Sequence, residues 1–421
     1  MERPLPHAYV LTLLIATATA AGVVVRPFRL PEAIWAVAGA ALVVALGLLP
    51  IADALRAAAR GGDVYLFLIG MMLLSEIARR EGVFDWAAAE AAIFARGSPR
   101  RLFLLIYAVG TATTVFLSND ATAVVLTPAV YAAARAAARE PLPYLFICAF
   151  VANAASFVLP ISNPANLVLY GGHMPALGAW LGRFALASAL SILATYLVLR
   201  WAMQSHLVGT CMRPAQRASL SRSGAVTLAA LGVTAATLLG VSALDLPLGA
   251  PTCILGVLTA VGVLAIRRAS PWPVARSVSW SVLPLVAGLF VLVQALDRAG
   301  VARQLAQVLN DGVARSQALA ALGSGAAVAL AGNLTNNLPA GLIATTTLVR
   351  AHPPQTVVDA VLIGVDLGPN LSVSGSLATI LWLTAIRREG EHVGFWRFLK
   401  VGAAVMPPAL LLAIGARLLA G

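Results

Sequence analysis

The sequence predicts an all-α polytopic membrane protein, an inverted repeat of two five-helix units, each with a re-entrant hairpin and a broken transmembrane helix. Three observations predict it. Of the 421 residues 60% are hydrophobic and 11% charged, with a mean hydropathy of +0.88, against roughly 45–50% and roughly 25% in soluble domains. Apolar runs of the length that spans a bilayer recur along the chain, and the second half repeats polar landmarks of the first at a nearly constant offset. A soluble enzyme is excluded, and no catalytic residues, cofactor or metal site are expected.

A helix needs roughly 20 apolar residues to cross the hydrocarbon. Stretches approaching this cover 8–25, 34–51, 64–78, 143–170, 177–203, 224–244, 249–266, 282–296, 356–386 and 395–419. The first ends in a small-residue run, 16–21, that resembles a signal-peptide cleavage site, but the second half carries an uncleavable-looking counterpart. Two further apolar regions, 102–138 and 317–349, are interrupted midway by Ser118-Asn119-Asp120 and by 333–337, NLTNN. Irregular backbone at membrane depth is tolerated only where protein or water covers it. Both regions are therefore expected to be re-entrant hairpins with polar tips.

The repeat divides the chain into 1–203, a connector at 204–223, and 224–421. An offset of 218 superposes Gly70 on Gly288, Arg80 on Arg298, Gly82 on Gly300 and Val83 on Val301. An offset of 217 superposes Ser118-Asn119-Asp120 on Thr335-Asn336-Asn337, and one of 213 superposes Asn153 on Asp366 and Ala165 on Ala378. Five spans is an odd number, so the second unit starts on the opposite face of the membrane. Broken helices in paired inverted repeats are the architecture of secondary transporters, where the breaks meet near the midplane.

The charge balance supports a topology rather than a polyanion partner. The 29 Lys and Arg against 17 Asp and Glu give +12 and a pI near 10.7. With the N-terminus outside, 20 of the 29 positive residues fall on one side, including Arg79, Arg80, Arg100, Arg101, Arg387 and Arg388, and 8 on the other; Arg183 lies inside a span. The positive-inside rule makes the richer side cytoplasmic. The expected setting is the cell inner membrane, with membrane lipid around the spans, both termini periplasmic, and no nucleic acid.

The candidate site lies where the chain breaks. Pro160, Pro164 and Pro369 remove backbone donors inside apolar helices, while Gly368 and Gly375 loosen the second break. Substrate contacts are expected from Ser118, Asn119, Asn163, Thr335, Asn336, Asn337, Asn370, Ser372 and Ser374. Asn and Ser donate and accept, which suits a small neutral polyhydroxyl solute, although unwound carbonyls and amide oxygens also coordinate hard cations. Intramembrane carboxylates usually mark ion or proton pathways. In the alignment Asp120 stands opposite Asn337, Asp366 opposite Asn153, and Glu76 opposite Gln294. An acid in one copy thus faces its amide in the other, and Asp120 and Asp366 are expected to couple protons. Glu76, Asn153, Ser162 and Asn166 are further candidates; Glu76 also suits a membrane-edge ion pair with Arg79 and Arg80. Of the five histidines, which form no cluster, His173 alone merits testing.

The segments LSNDATAVVLTPAV at 117–130, ISNPANLVLY at 161–170 with GGHMP after it, NLTNNLPAGLIAT at 333–345 and GVDLGPNLSVSGSLATILWL at 364–383 resemble the arsenite efflux permeases of the ArsB type, within the ion transporter superfamily. The resemblance covers nearly the whole chain. It implies export of arsenite and antimonite as neutral trihydroxides in exchange for protons by alternating access and, in some systems, an ArsA-type cytoplasmic ATPase as partner. Dicarboxylate carriers of the superfamily have Ser-Asn-Thr tips. Here the third positions are Asp120 and Asn337, and an acid would repel a carboxylate. A sodium/proton antiporter on the same scaffold is the alternative. Thiol ligation is disfavoured because Cys148, Cys211 and Cys253 are far apart in the span map.

Overall fold

A computed structural model describes residues 6–137, 140–170, 174–210 and 219–420, and every regular element among them is helical. His173, Cys211 and most of the basic part of the connector lie outside the described residues. The first half runs through α1 (Pro6–Val25), α2 (Glu32–Ala45), α3 (Ile51–Arg60), α4 (Gly62–Arg80), α5 (Val83–Phe94), α6 (Pro99–Phe116), α7 (Thr127–Ala137), α8 (Leu142–Ala154), α9 (Pro164–Tyr170) and α10 (Leu177–Ala202). The second runs through α11 (Arg222–Ala243), α12 (Gly249–Arg267), α13 (Trp272–Ser277), α14 (Val282–Ala299), α15 (Val301–Arg315), α16 (Gln317–Thr335), α17 (Asn337–Ala351), α18 (Gln355–Leu367), α19 (Leu377–Arg388) and α20 (Phe395–Leu419). The order matches helix for helix, with a tip after α6 and α16 and a break after α8 and α18.

Seven described helices, α1, α10, α11, α12, α14, α16 and α20, are long and apolar enough to cross a membrane. The pair α3 and α4, bent by 45°, makes an eighth. Three of the ten hydropathy spans drop out because they are subdivided, and α16, expected as an arm of the 317–349 hairpin, is added. Residues 34–51 do not form one helix: α2 stops at Ala45, Gly47 turns in the left-handed region at φ 69°, and Pro50 precedes α3. Residues 143–170 and 356–386 are each split at their prolines into two pieces shorter than a span. Three short charged helices, α3, α5 and α15, occupy segments that hydropathy leaves as connections.

Helix packing pairs the two halves with each other. Helix α4 lies along α12 and α14 lies along α2, while α10 packs on α20. The approach is close at two aligned glycines: a methyl at Gly70 would meet the Thr252 carbonyl oxygen at 2.2 Å, and one at Gly288 the Ala36 carbonyl carbon at 2.8 Å. Small residues at such crossings let dispersion act where lipid supplies no hydrophobic drive. Helix α8 is apolar all round and buried at every residue, and α18 is buried from Val361 to Leu367. Such helices belong in an interior. Phe146, Phe150, Trp382 and Phe398 close around α8 with ring centroids 5.1 to 6.1 Å apart. The two central helices end at the breaks and there carry Asn153 and Asp366.

Candidate functional site

The first tip is built by its own polar side chains. Ser118 Oγ accepts from the Ala121 amide at 3.3 Å, and Asn119 Oδ1 accepts from the Asp120 amide at 2.9 Å. The returning arm begins with a wide π-helical turn, Ala121–Leu126, before α7. Such turns are rare and cluster at functional positions. At the second tip Asn336 takes φ 79°, and its side chain accepts from the Leu338 amide to cap α17. With ψ 151° this lies outside the left-handed helical region, in backbone space that is essentially glycine's own. Thr335 turns back onto its own helix, donating to the Ala331 carbonyl at 3.0 Å.

The breaks are tied across the halves. From α8, Asn153 Nδ2 donates to Asn370 Oδ1 at 3.0 Å in the second break, and Asn370 Nδ2 donates to the Phe150 carbonyl at 3.1 Å. In the other direction Asn163 Nδ2, in the first break, donates to Asp366 Oδ1 on α18 at 2.7 Å. The Asn163 carbonyl oxygen of the side chain accepts from the Ala165 amide at 3.0 Å, so one residue caps α9 and holds α18. Asp366 and Asn153 are wholly buried, and Asp366 Oδ2 and Asn153 Oδ1 have no hydrogen-bond partner. A buried acceptor left unpaired costs about 1–3 kcal/mol. Acceptors without a partner thus stand at aligned positions in both copies.

Within each copy the break is also pinned to its hairpin. Ser162 Oγ donates to the Val115 carbonyl on α6 at 3.0 Å, while Asn166 Nδ2 ties the break to itself, donating to the Ser156 carbonyl at 2.9 Å. In the second copy the hub is Asn333, which sequence reasoning placed in the tip motif but not among the site residues. Its Nδ2 donates to the Ala329 and Gly368 carbonyls at 2.7 and 2.8 Å, and its Oδ1 accepts from the Ser372 amide and hydroxyl at 3.0 and 2.7 Å. Ser374 Oγ donates to the Asn333 carbonyl at 3.0 Å. Asn333→Ala is expected to leave backbone groups of the break unpaired and to cost about 1–3 kcal/mol, measured as a lowered melting temperature in detergent. Asn333→Asp, which sets a carboxylate oxygen against the Ala329 and Gly368 carbonyls, should lose no less.

Three cavities follow the length of α4. The central one is lined by Asn119, Asp120, Asn163 and Asn337 between Leu68 and Val282, and at about 20 Å³ it holds roughly one water. Tips and first break therefore converge on one point. On one side Asp120, Ser118, Met72, Glu76 and Ser277 line a vestibule of about 110 Å³. On the other, Asp63, Gln294, Thr345, Asp297 and Arg350 line one of about 540 Å³. Glu76 and its aligned partner Gln294 thus stand in opposite mouths. Glu76 accepts from Arg79 at 2.8 Å and from Arg80 at 2.5 Å, while Gln294 accepts from Arg60 at 2.9 Å. Asn370, Ser372 and Ser374 support the wall and do not border the central cavity.

The chain is similar to known transporters. A family model described as citrate transporter matches residues 11–367. An arsenical pump membrane protein of Escherichia coli is 25% identical over 391 residues, 90% of this chain and 91% of its own. One of Yersinia enterocolitica is 26% identical over 374 residues, 83% of this chain and 84% of its own. An uncharacterized transporter of Mycobacterium tuberculosis is 26% identical over 414 residues, 94% of this chain and 95% of its own. Among solved structures, the YdaH transporter of Alcanivorax borkumensis superposes with a TM-score of 0.57 at 14% identity, covering 99% of this chain and 98% of its own. MtrF of Neisseria gonorrhoeae gives 0.57 at 12% identity, covering 98% and 95%. These two share the fold.

Proposed function

Because the chain belongs to the citrate transporter family, we propose that it is a secondary transporter exporting arsenite and antimonite as neutral trihydroxides in exchange for protons. The observation that carries the reading is the meeting of Asn119, Asp120, Asn163 and Asn337 between two vestibules. A trihydroxide offers hydroxyl donors and lone pairs, and amide side chains match both without net charge. The arsenical pumps among the relatives support the substrate; none of the relatives named above points to a sodium/proton antiporter. Asp120 and Asp366 are the proton carriers in this reading, and the other tip and break residues orient the site.

The exchange of partners between halves, α4 with α12 and α14 with α2, is what an inverted repeat generates. We read the Glu76 vestibule as cytoplasmic from the Arg excess on that side, and the Gln294 vestibule as periplasmic. The central cavity is too small for a trihydroxide, so the passage opens to one vestibule at a time. An ArsA-type ATPase would dock on the cytoplasmic side.

The test is arsenite uptake into everted membrane vesicles with an imposed, inside-acid pH gradient and no ATP. Gradient-dependent uptake is expected, and uptake that follows sodium instead of pH would overturn the reading. Cys148 is buried on α8 and Cys253 half-buried on α12, so thiol capture at the central cavity is not part of it. Replacing all three cysteines by serine or alanine should leave uptake within about twofold; loss of transport would reinstate thiol ligation.

A further inference from the structure

Helix α9 has seven residues, too short to be stable by itself, so its placement depends on what ties it down. It meets α18 antiparallel at two points. Asn163 donates to Asp366 at 2.7 Å at one end, and the Tyr170 hydroxyl donates to Asp359 Oδ1 at 3.2 Å at the other. The partners are seven residues apart on both segments, two turns or about 10.5 Å of rise along one helix face. The two bonds form the rungs of a ladder.

The second rung is fixed from behind. Asp359 is wholly buried, and its Oδ2 accepts from Arg417 Nε on α20 at 2.6 Å. Its Oδ1 also accepts from Gln355, one turn earlier, at 2.8 Å. Arg183 on α10 lies beside the Tyr170 hydroxyl, and the Tyr170 ring packs on Trp180 at 5.8 Å. The other copy solves the same problem with rings. There Trp382 on α19 donates from its indole to the Leu145 carbonyl on α8 at 2.8 Å and packs on Phe146 and Phe398. At the offset of 213, Phe146 is the position equivalent to Asp359.

We propose that Tyr170, Asp359 and Arg417 are positioning residues, a register lock that holds α9 so that Asn163 meets Asp366. A slip of one residue turns a helix by about 100° and would carry Asn163 off α18. None of the three borders the central cavity, and their effect on transport rests on the reading that Asn163 and Asp366 belong to the translocation site.

The test uses Tyr170→Phe, which keeps the ring on Trp180, beside Tyr131→Phe, which removes the same hydroxyl from a tie outside α9, the bond to the Glu389 carbonyl at 2.9 Å. Hydrogen exchange of the full-length protein in detergent reads the register, and the concentration dependence of arsenite uptake in everted vesicles reads its consequence. In Tyr170→Phe, exchange over 159–170 should rise about tenfold, α18 and α20 should stay protected, and KM should rise roughly threefold or more with Vmax within about twofold. Tyr131→Phe should move neither. Wild-type exchange in Tyr170→Phe, or equal acceleration in both variants, overturns the lock. Faster exchange in Tyr170→Phe alone with unchanged KM upholds the lock and overturns the transport role of Asn163 and Asp366.

Discussion

Asp366→Asn is expected to abolish arsenite accumulation driven by a pH gradient, lowering it at least about tenfold, while the protein folds and melts as before. The substitution is close to a pure removal of the titratable group. Asp366 Oδ1 accepts from Asn163 at 2.7 Å, and an amide oxygen in the same place accepts equally. Oδ2 has no partner, so an NH2 replacing it breaks no bond. The aligned residue in the first copy, Asn153, already fills an equivalent buried place as an amide. Geometry is thus preserved and the exchangeable proton is lost. Downhill arsenite counterflow, which needs the site but no net proton movement, should persist in Asp366→Asn. Asp120→Asn should behave alike, since Asp120 borders both the central cavity and the Glu76 vestibule. Undiminished gradient-driven uptake in both variants would remove the proton role from these acids.

How far the sequence revealed this site depended on whether the deciding interaction was local. Pro160, Pro164 and Pro369 break their helices for reasons contained in the residue itself, and the breaks fall where those prolines stand. The tips were legible too, because polar runs in the middle of apolar segments have no other place in a membrane. Asn333 as hub was not: as the first residue of the 333–337 run it carries no mark of its bonds to Gly368, Ser372 and Ser374, 35 to 41 residues away. The charged helices α3 and α15 were missed for a different reason. Their apolar face is alanine, Ala54 and Ala57 in one and Ala302 and Ala306 in the other, so a hydropathy sweep passes over them although their period is helical. The Tyr170 and Asp359 rung needed the antiparallel placement of α9 and α18, which no spacing in the chain reports.

The second large effect is expected at Gly364, on the face of α18 that meets α16. A methyl there would stand 2.2 Å from the Gly325 carbonyl oxygen and 2.9 Å from its carbon. The obstruction is backbone, which no rotamer change relieves. A methyl on Gly325 would in turn meet the Ala360 carbonyl oxygen at 2.7 Å, so the two helices cross with main chain against main chain. Overpacking a tight interior costs typically about 1–3 kcal/mol and occasionally more. Gly364→Ala should fall within that range and Gly364→Leu beyond it, with little folded protein recovered from the membrane. The consequence for transport follows from position: Gly364 is two residues before Asp366, and Asn333 at the end of α16 holds the Gly368 carbonyl beyond it. Separating α16 from α18 would pull the second tip and the second break apart together. In Gly364→Ala, uptake should therefore fall further than the lost melting temperature accounts for, while Gly262→Ala, where a methyl meets nothing within 4 Å, should change neither. Wild-type melting and uptake in Gly364→Ala would show that the crossing yields without cost and that the tip does not depend on it.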